Sequence, residues 1–243
     1  MDPLIYNELV EQEDTHWWFV ARRVLTGCLL DSVKLPEKPV ILDIGCGAGG
    51  NLPVLARYGE VFACEMNEQV RKHSEGRNIA TVAYGKLPGE IPFADRQFDL
   101  ITMFDVLEHI EDDRAALAAA SRRLPQGGAL LLTVPASPWL FSRHDKLHHH
   151  FRRYSRTELQ EKIKAAGFEI EYMNYWNFFL FPVAVAVRLL DRLRAKNKQE
   201  IGTKIPAQPI NEFLIKLLSA ERFLFRRIPF PFGLSLMLLA RKI

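Results

Sequence analysis

The stretch that most restricts what this chain can fold into is Val40-Ile41-Leu42-Asp43-Ile44-Gly45-Cys46-Gly47-Ala48-Gly49-Gly50-Asn51-Leu52, an apolar run that passes directly into glycines and then into a helix start. Residues 40 to 44 are apolar except for Asp43, the pattern of a parallel strand covered on both faces. Gly45, Gly47 and Gly49 stand where the backbone has to turn sharply. Without Cβ atoms at those positions, main-chain N–H groups approach a ligand closely, and the helix beginning near Asn51 adds its electropositive end. The unit reads as a nucleotide cradle.

The same letters satisfy a G-x-G-x-x-G dinucleotide fingerprint through Gly45, Gly47 and Gly50, so an NAD(P)-dependent oxidoreductase is the alternative from another class. Val61 to Glu65 is a second short apolar strand ending in an acid. Glu65 lies 20 residues after Gly45, the separation at which a βαβ unit brings a carboxylate to ribose hydroxyls. Asp43 discriminates, because an anion at the strand end repels a pyrophosphate and welcomes an ammonium. S-adenosylmethionine carries an ammonium, a sulfonium and an adenosine.

Leu42-Asp43-Ile44-Gly45-Cys46-Gly47-Ala48-Gly49 resembles the first motif of class I S-adenosylmethionine-dependent methyltransferases. Gly85-Lys86-Leu87-Pro88, the stretch from Ile91 to Ile101, and Asp105-Val106-Leu107-Glu108-His109-Ile110 resemble later motifs of that family in the same order, and Leu124 to Leu130 is similar to the turn into its fifth strand. The resemblance implies an α/β fold with a Rossmann-like seven-stranded sheet, order 3-2-1-4-5-7-6 with strand 7 antiparallel. It also implies S-adenosyl-L-methionine as cofactor and S-adenosyl-L-homocysteine as product. Gly45, Cys46, Gly47, Asn51 and Leu52 would then cradle the cofactor and Glu65 its ribose, while Met66 would lie against adenine or simply pack. The loop Gly85-Lys86-Leu87 would meet adenine through its backbone, since Lys86 stands where the family has an acidic or amide group and a lysine accepts no hydrogen bond. Phe104, Asp105 and Val106 would meet the amino-acid end, and His109 would cover the cofactor or cap the next helix.

At 243 residues, about half of them apolar, the chain suits one α/β domain with additions. A net charge of +3 and a pI near 8.7, with no long basic run, do not indicate nucleic acid. Three scattered cysteines, Cys28, Cys46 and Cys64, suit a reducing compartment. No basic-then-apolar leader is visible, and the apolar runs at 178–187 and 228–240 fall short of the ~20 residues of a spanning helix. The expected location is cytoplasmic, with membrane association left open.

Residues 1–38 read as an N-terminal helical cap in which Thr15 is the N-cap and Trp18, Leu25 and Leu29 face a core. Within it, His16-Trp17-Trp18-Phe19 followed by Arg22-Arg23 is similar to a segment of bacterial methyltransferases associated with glycan and lipid modification. That similarity implies that Arg22 or Arg23 binds the methionine carboxylate, as a guanidinium fork would. Residues 39–176 and 232–243 form the core, and 177–231 an apolar insertion. Ser137 to Tyr154 reads as an extended acceptor loop. Its imidazoles with Asp145 would suit zinc, but methyl transfer from a sulfonium needs no Lewis acid and consecutive histidines in an extended loop point different ways, so no metal is expected. His144, with Asp145 beside it, is the candidate base for a hydroxyl acceptor. Arg152-Arg153 would bind an anionic acceptor or form a polar helix entry.

The insertion reads as helices at 178–193 and 211–227 joined by a polar, mobile-looking stretch from Lys196 to Gln208. Phe213, Leu214, Leu217, Leu218 and Phe225 make an apolar stripe flanked by Glu221, Arg222, Arg226 and Arg227. It would pack as a lid, form a homodimer, or touch a membrane surface. The functional expectation is O-methylation of a small-molecule, glycan or lipid-linked acceptor, with a non-catalytic cofactor-binding module as a third reading.

Overall fold

Seven strands, β1 (Val40–Ile44), β2 (Glu60–Glu65), β3 (Thr81–Tyr84), β4 (Leu100–Phe104), β5 (Ala129–Pro135), β6 (Phe168–Trp176) and β7 (Ser235–Lys242), form one sheet. The computed structural model describes residues 10–193 and 205–243. The strand order is β3-β2-β1-β4-β5-β7-β6, with β1 to β5 parallel and β7 antiparallel to both neighbours. This is the order and polarity expected from the sequence. Every residue of β4 and β5 is buried, which is why those strands are apolar except for Thr102 and Thr133, whereas Thr81 and Tyr84 of the edge strand β3 are exposed.

Around the sheet lie α1 (Trp17–Leu30), α2 (Leu52–Leu55), α3 (Glu68–Gly76), α4 (Asp113–Arg122), α5 (Arg143–Leu147), α6 (Arg156–Ala165), α7 (Phe181–Leu193) and α8 (Gln208–Ser219). Short polar residues start three of them: the side chains of Asn67, Asp112 and Ser155 accept from the backbone N–H of Val70, Ala115 and Glu158. On one face of the sheet, Ala116 and Leu117 of α4 and Leu159 and Ile163 of α6 pack with Leu42, Ile101 and Leu130. On the other, Leu25 and Leu29 of α1, Leu55 of α2, and Phe225 and Phe230 pack with Ile41, Leu100 and Leu131.

Four local expectations change. The N-cap of α1 is His16 rather than Thr15: its Nδ1 accepts from Trp18 N at 3.2 Å, and burial lowers its pKa to about 4, leaving that nitrogen free to accept. The first crossover helix is one turn, 52–55, instead of continuing to Tyr58. The acceptor stretch is not extended, because Asp145 accepts from Ser142 N at 2.8 Å and Ser142 Oγ at 3.0 Å and thereby starts α5. In the insertion, α8 ends at Ser219 and a 3-10 turn follows over Ala220–Phe223. The mobile stretch expected from Lys196 lies, up to residue 204, outside the described residues. Among the described residues no helix is long and apolar enough to cross a membrane.

The 3-10 turn has a purpose that its charge concealed. Glu221 is fully buried instead of flanking the stripe; Oε2 accepts from Asn177 N at 2.8 Å, and Oε1 accepts from Phe178 N at 2.7 Å and Phe179 N at 3.1 Å. One carboxylate thus satisfies three backbone donors where the chain leaves β6. Glu221→Ala is expected to cost about 3 kcal/mol or more, because several buried donors lose their acceptor at once. Glu221→Gln, which keeps one acceptor oxygen, is expected to cost less; urea unfolding midpoints of the two variants check this ordering.

Candidate cofactor and acceptor site

At the end of β1 the chain turns through Gly45, whose φ is +71°. A Cβ there would also lie 2.6 Å from Val106 Cγ2, so both conformation and space require glycine. The amides of Gly45 and Cys46 donate to the carbonyl of Cys64 at 2.8 and 3.1 Å, which holds the turn against the end of β2. There Glu65 accepts from Asn67 N at 2.8 Å and Gly47 N at 3.3 Å; burial raises its pKa while those amides act the other way. Gly50 serves a different need. A Cβ on it would meet Glu13 Cγ at 2.5 Å, and it does not line the cavity, so the third glycine of the dinucleotide fingerprint is explained by packing of the N-terminal segment.

From this turn a cavity of about 950 Å³ runs along the carboxyl ends of the parallel strands to α5. Gly45, Cys46, Gly47 and Asn51 line it from the β1 turn, and Glu65 and the half-exposed Met66 from the end of β2. Gly85, Lys86 and Leu87 line it after β3, and Phe104, Asp105, Val106 and His109 after β4. Arg22 reaches it from α1 and His144 from α5. Asp43 and Leu52 do not line it, Leu52 being part of the core. Met66 is too exposed to be a packing residue. His109 does not cap the following helix, since Asp112 does.

Arg22 rather than Arg23 faces the cavity. Its Nη1 is paired with Asp105 Oδ2, its guanidinium lies 4.7 Å over the Trp18 ring, and its Nε has no hydrogen-bond partner among the described residues. Arg23 turns away to donate to the carbonyls of Glu13 and Asp14. Asp105 adopts φ +56° and also accepts from Thr133 Oγ1 at 2.9 Å. Two further buried carboxylates, both outside the sequence-based selection, line the cavity. Glu13 has one oxygen and Glu108 both oxygens without a partner among the described residues, and burial raises the pKa of each. Nothing in the letters announced them, since burial alone makes them unusual. Around Arg22 the wall is therefore rich in carboxylates, and a ligand with cationic centres fits it.

At the acceptor end, Asp145 is fully buried and directs its hydrogen bonds to residues other than His144. It accepts from Arg153 Nε at 2.6 Å and meets His150 Nδ1 at 3.1 Å. Burial works to raise its pKa, but His150, Arg153 and Ser142 outweigh it and hold the carboxyl well below the usual range. The arginine pair is not free for an anion: Arg153 serves Asp145, and Arg152 pairs with Asp113 at 2.9 Å. His144 stands in the cavity wall and is exposed there; desolvation within the cavity, then His148, lower its pKa.

Residues 19–172 match the profile of the family described as Methyltransferase domain. The chain is 24% identical over 153 residues to a ubiquinone biosynthesis O-methyltransferase of Acinetobacter baylyi, a match covering 55% of this chain and 64% of the relative. It thus spans less than two thirds of the length of the first curated relatives it matches. Solved structures share the fold, among them two methyltransferases. An S-adenosylmethionine-dependent methyltransferase of Clostridium acetobutylicum superposes with a TM-score of 0.56 at 13% identity, covering 98% of this chain and 96% of that one. A TehB-like methyltransferase of Corynebacterium glutamicum gives 0.54 at 17%, covering 90% and 88%.

Asp43 sits behind this site and yields a pH-dependent expectation. It is wholly buried, accepts from Thr102 Oγ1 at 2.6 Å and has its Oδ2 unpartnered among the described residues; burial, partly offset by Thr102 and Arg22, pushes its pKa up to about 7. A carboxyl with a raised folded pKa binds its proton more tightly in the folded state. Its contribution is present below the unfolded value near 3.8 and is lost as pH rises through about 7. Asp43→Asn keeps the Thr102 contact without the charge, so it is expected to stabilise the ligand-free protein by more at pH 8 than at pH 5, by an amount on the order of a few kcal/mol. Thermal melting at the two pH values measures the difference.

Proposed function

This chain belongs to the S-adenosylmethionine-dependent methyltransferase family, and we propose that within it the protein methylates a hydroxyl oxygen of a small-molecule, glycan or lipid-linked acceptor. The observation that carries this reading is that the cavity continues past the glycine cradle to the neutral imidazole of His144, which stands exposed at the α5 wall. The name of the Acinetobacter relative, a ubiquinone biosynthesis O-methyltransferase, points the same way. When bound, S-adenosyl-L-methionine supplies a methyl group on cationic sulfur and leaves as S-adenosyl-L-homocysteine.

The protein's own residues bind and align. Glu65, fixed by Gly47 and Asn67, takes the ribose hydroxyls, with Gly85, Lys86 and Leu87 bordering the adenine side. Arg22 offers its unpartnered Nε to the methionine carboxylate, and Glu13 and Asp105 favour the ammonium. His144 would accept the acceptor hydroxyl's proton, with the methyl-donating cofactor held by the glycine turn, Glu65 and Arg22. His144 is neutral at physiological pH and has a lone pair to offer, but its lowered pKa makes it a weak base, so most of the acceleration comes from alignment, on the order of 7 to 11 kcal/mol. On the outer side, exposed Phe213, Phe223 and Ile228 beside Arg222, Arg226 and Arg227 are the residues that a peripheral membrane contact or a homodimer would use.

His144→Ala is expected to lower turnover on a hydroxylated acceptor by about 100-fold or more while leaving cofactor affinity intact. Product formation, followed as S-adenosylhomocysteine by mass spectrometry, reads the first and calorimetry the second. Unchanged turnover removes His144 from the reaction, and no turnover by the native protein on any acceptor favours a binding module. Arg22→Ala is expected to weaken cofactor binding about 10- to 100-fold in the same calorimetry, the loss of a charge-assisted fork.

A further inference from the structure

Glu108 is hard to explain by methyl transfer alone. It is fully buried in the cavity wall, and neither of its oxygens has a hydrogen-bond partner among the described residues. The nearby guanidinium groups are already engaged, Arg22 by Asp105 and Arg153 by Asp145. An ionised carboxylate without a partner costs several kcal/mol in such surroundings, so the site calls for a cation or a proton.

Two imidazoles face it. The donor atoms of Glu108, His109 and His150 all lie within 4.8 Å of one another, and the two rings meet edge to face with centroids 4.7 Å apart. Each ring is also oriented from behind. His150 presents Nδ1 to the buried Asp145 at 3.1 Å, which leaves Nε2 for the cavity, and the His109 side chain is hydrogen-bonded to the backbone of His149. A carboxylate or carbonyl behind each imidazole is the outer arrangement that metal-binding histidines use. The expectation that consecutive histidines diverge rested on an extended loop. With α5 folded by its Ser142–Asp145 contact, His150 is instead returned toward the turn that carries Glu108 and His109.

We propose that Glu108, His109 and His150 bind one divalent transition-metal ion of the zinc class, with a coordination position open to the cavity. Two imidazoles and one carboxylate are a set such ions accept, and donor closure by about 1 Å gives metal-ligand distances near 2.0 to 2.2 Å. The proposal deepens the methyl-transfer reading and rests on it only for purpose: an acceptor oxygen on that open position loses its proton more readily.

The test uses untagged full-length protein, stripped with chelator and titrated with ZnCl2 by calorimetry and with CoCl2 by visible absorption. One equivalent of each ion is expected. Glu108→Gln and His150→Ala should each weaken binding at least tenfold, and Asp145→Asn about 10- to 100-fold through the orientation of His150. His73→Ala, on the exposed side of α3, should leave binding unchanged. Far-UV circular dichroism and melting show whether each variant folds, and His109→Ala replaces any that does not. Absence of uptake, or uptake that persists at full affinity in the folded Glu108 and His150 variants, overturns the site. Cofactor titration of the metal-free protein keeps this failure separate from failure of the methyl-transfer reading.

Discussion

The cavity owes its shape to the ion pair between Arg22 of α1 and Asp105 at the end of β4. α1 precedes the sheet in the chain and is not part of its hydrogen-bonded ladder, so something must hold its polar face over the strand ends. A buried guanidinium and carboxylate do so strongly, since removing either leaves the other as an uncompensated charge. Trp18, Phe19 and Phe104 surround the guanidinium at 4.7, 5.5 and 5.5 Å, and Thr133 holds the carboxylate from the far side. The left-handed backbone of Asp105 turns that carboxylate away from the strand and toward α1.

Around this pair the wall carries more carboxylate than it neutralises. Glu13 and Glu108 are buried with unpartnered oxygens, and Glu65 is satisfied only by backbone amides. Such a wall stores unfavourable electrostatic energy that a cationic ligand relieves, whether that ligand is a sulfonium with its ammonium or a metal ion. Imidazoles share this wall: His109 lies beside Glu108 and is kept neutral mainly by burial, with a pKa of about 3, while His144 reaches the cavity from α5. The cavity thus combines cation-seeking carboxylates with proton-accepting imidazoles.

Most of the sheet was legible in the sequence because its signals are local. Apolar runs of the right length mark the central strands, and the glycines after β1 with Glu65 at the end of β2 mark the expected cradle. Buried polar groups were not legible, because the chain writes Glu221 and Asp145 with the letters it uses for solvated faces. Glu221 looked like the charged edge of a stripe until the fold brought the amides of residues 177–179 to it. Asp145 looked like a partner for its neighbour His144, but a helical turn sends its side chain to Ser142, His150 and Arg153. Asp43 matched the expected motif yet sits behind the cavity, bonded to Thr102. These errors share one cause, in that long-range contacts decide which polar side chains are enclosed.

Asn211 near the start of α8 joins two regions that are 194 residues apart in sequence. Its Oδ1 accepts from Trp17 N at 2.9 Å and its Nδ2 donates to Thr15 O at 2.8 Å, so the insertion grips the first turn of the helix that carries Arg22. The placement of α1 is thereby a variable shared by the cradle and by the outer face of the insertion. Any ligand that prefers one placement of α1 alters how α8 is presented, and a partner that prefers one presentation of α8 changes the affinity of the cradle by the same factor.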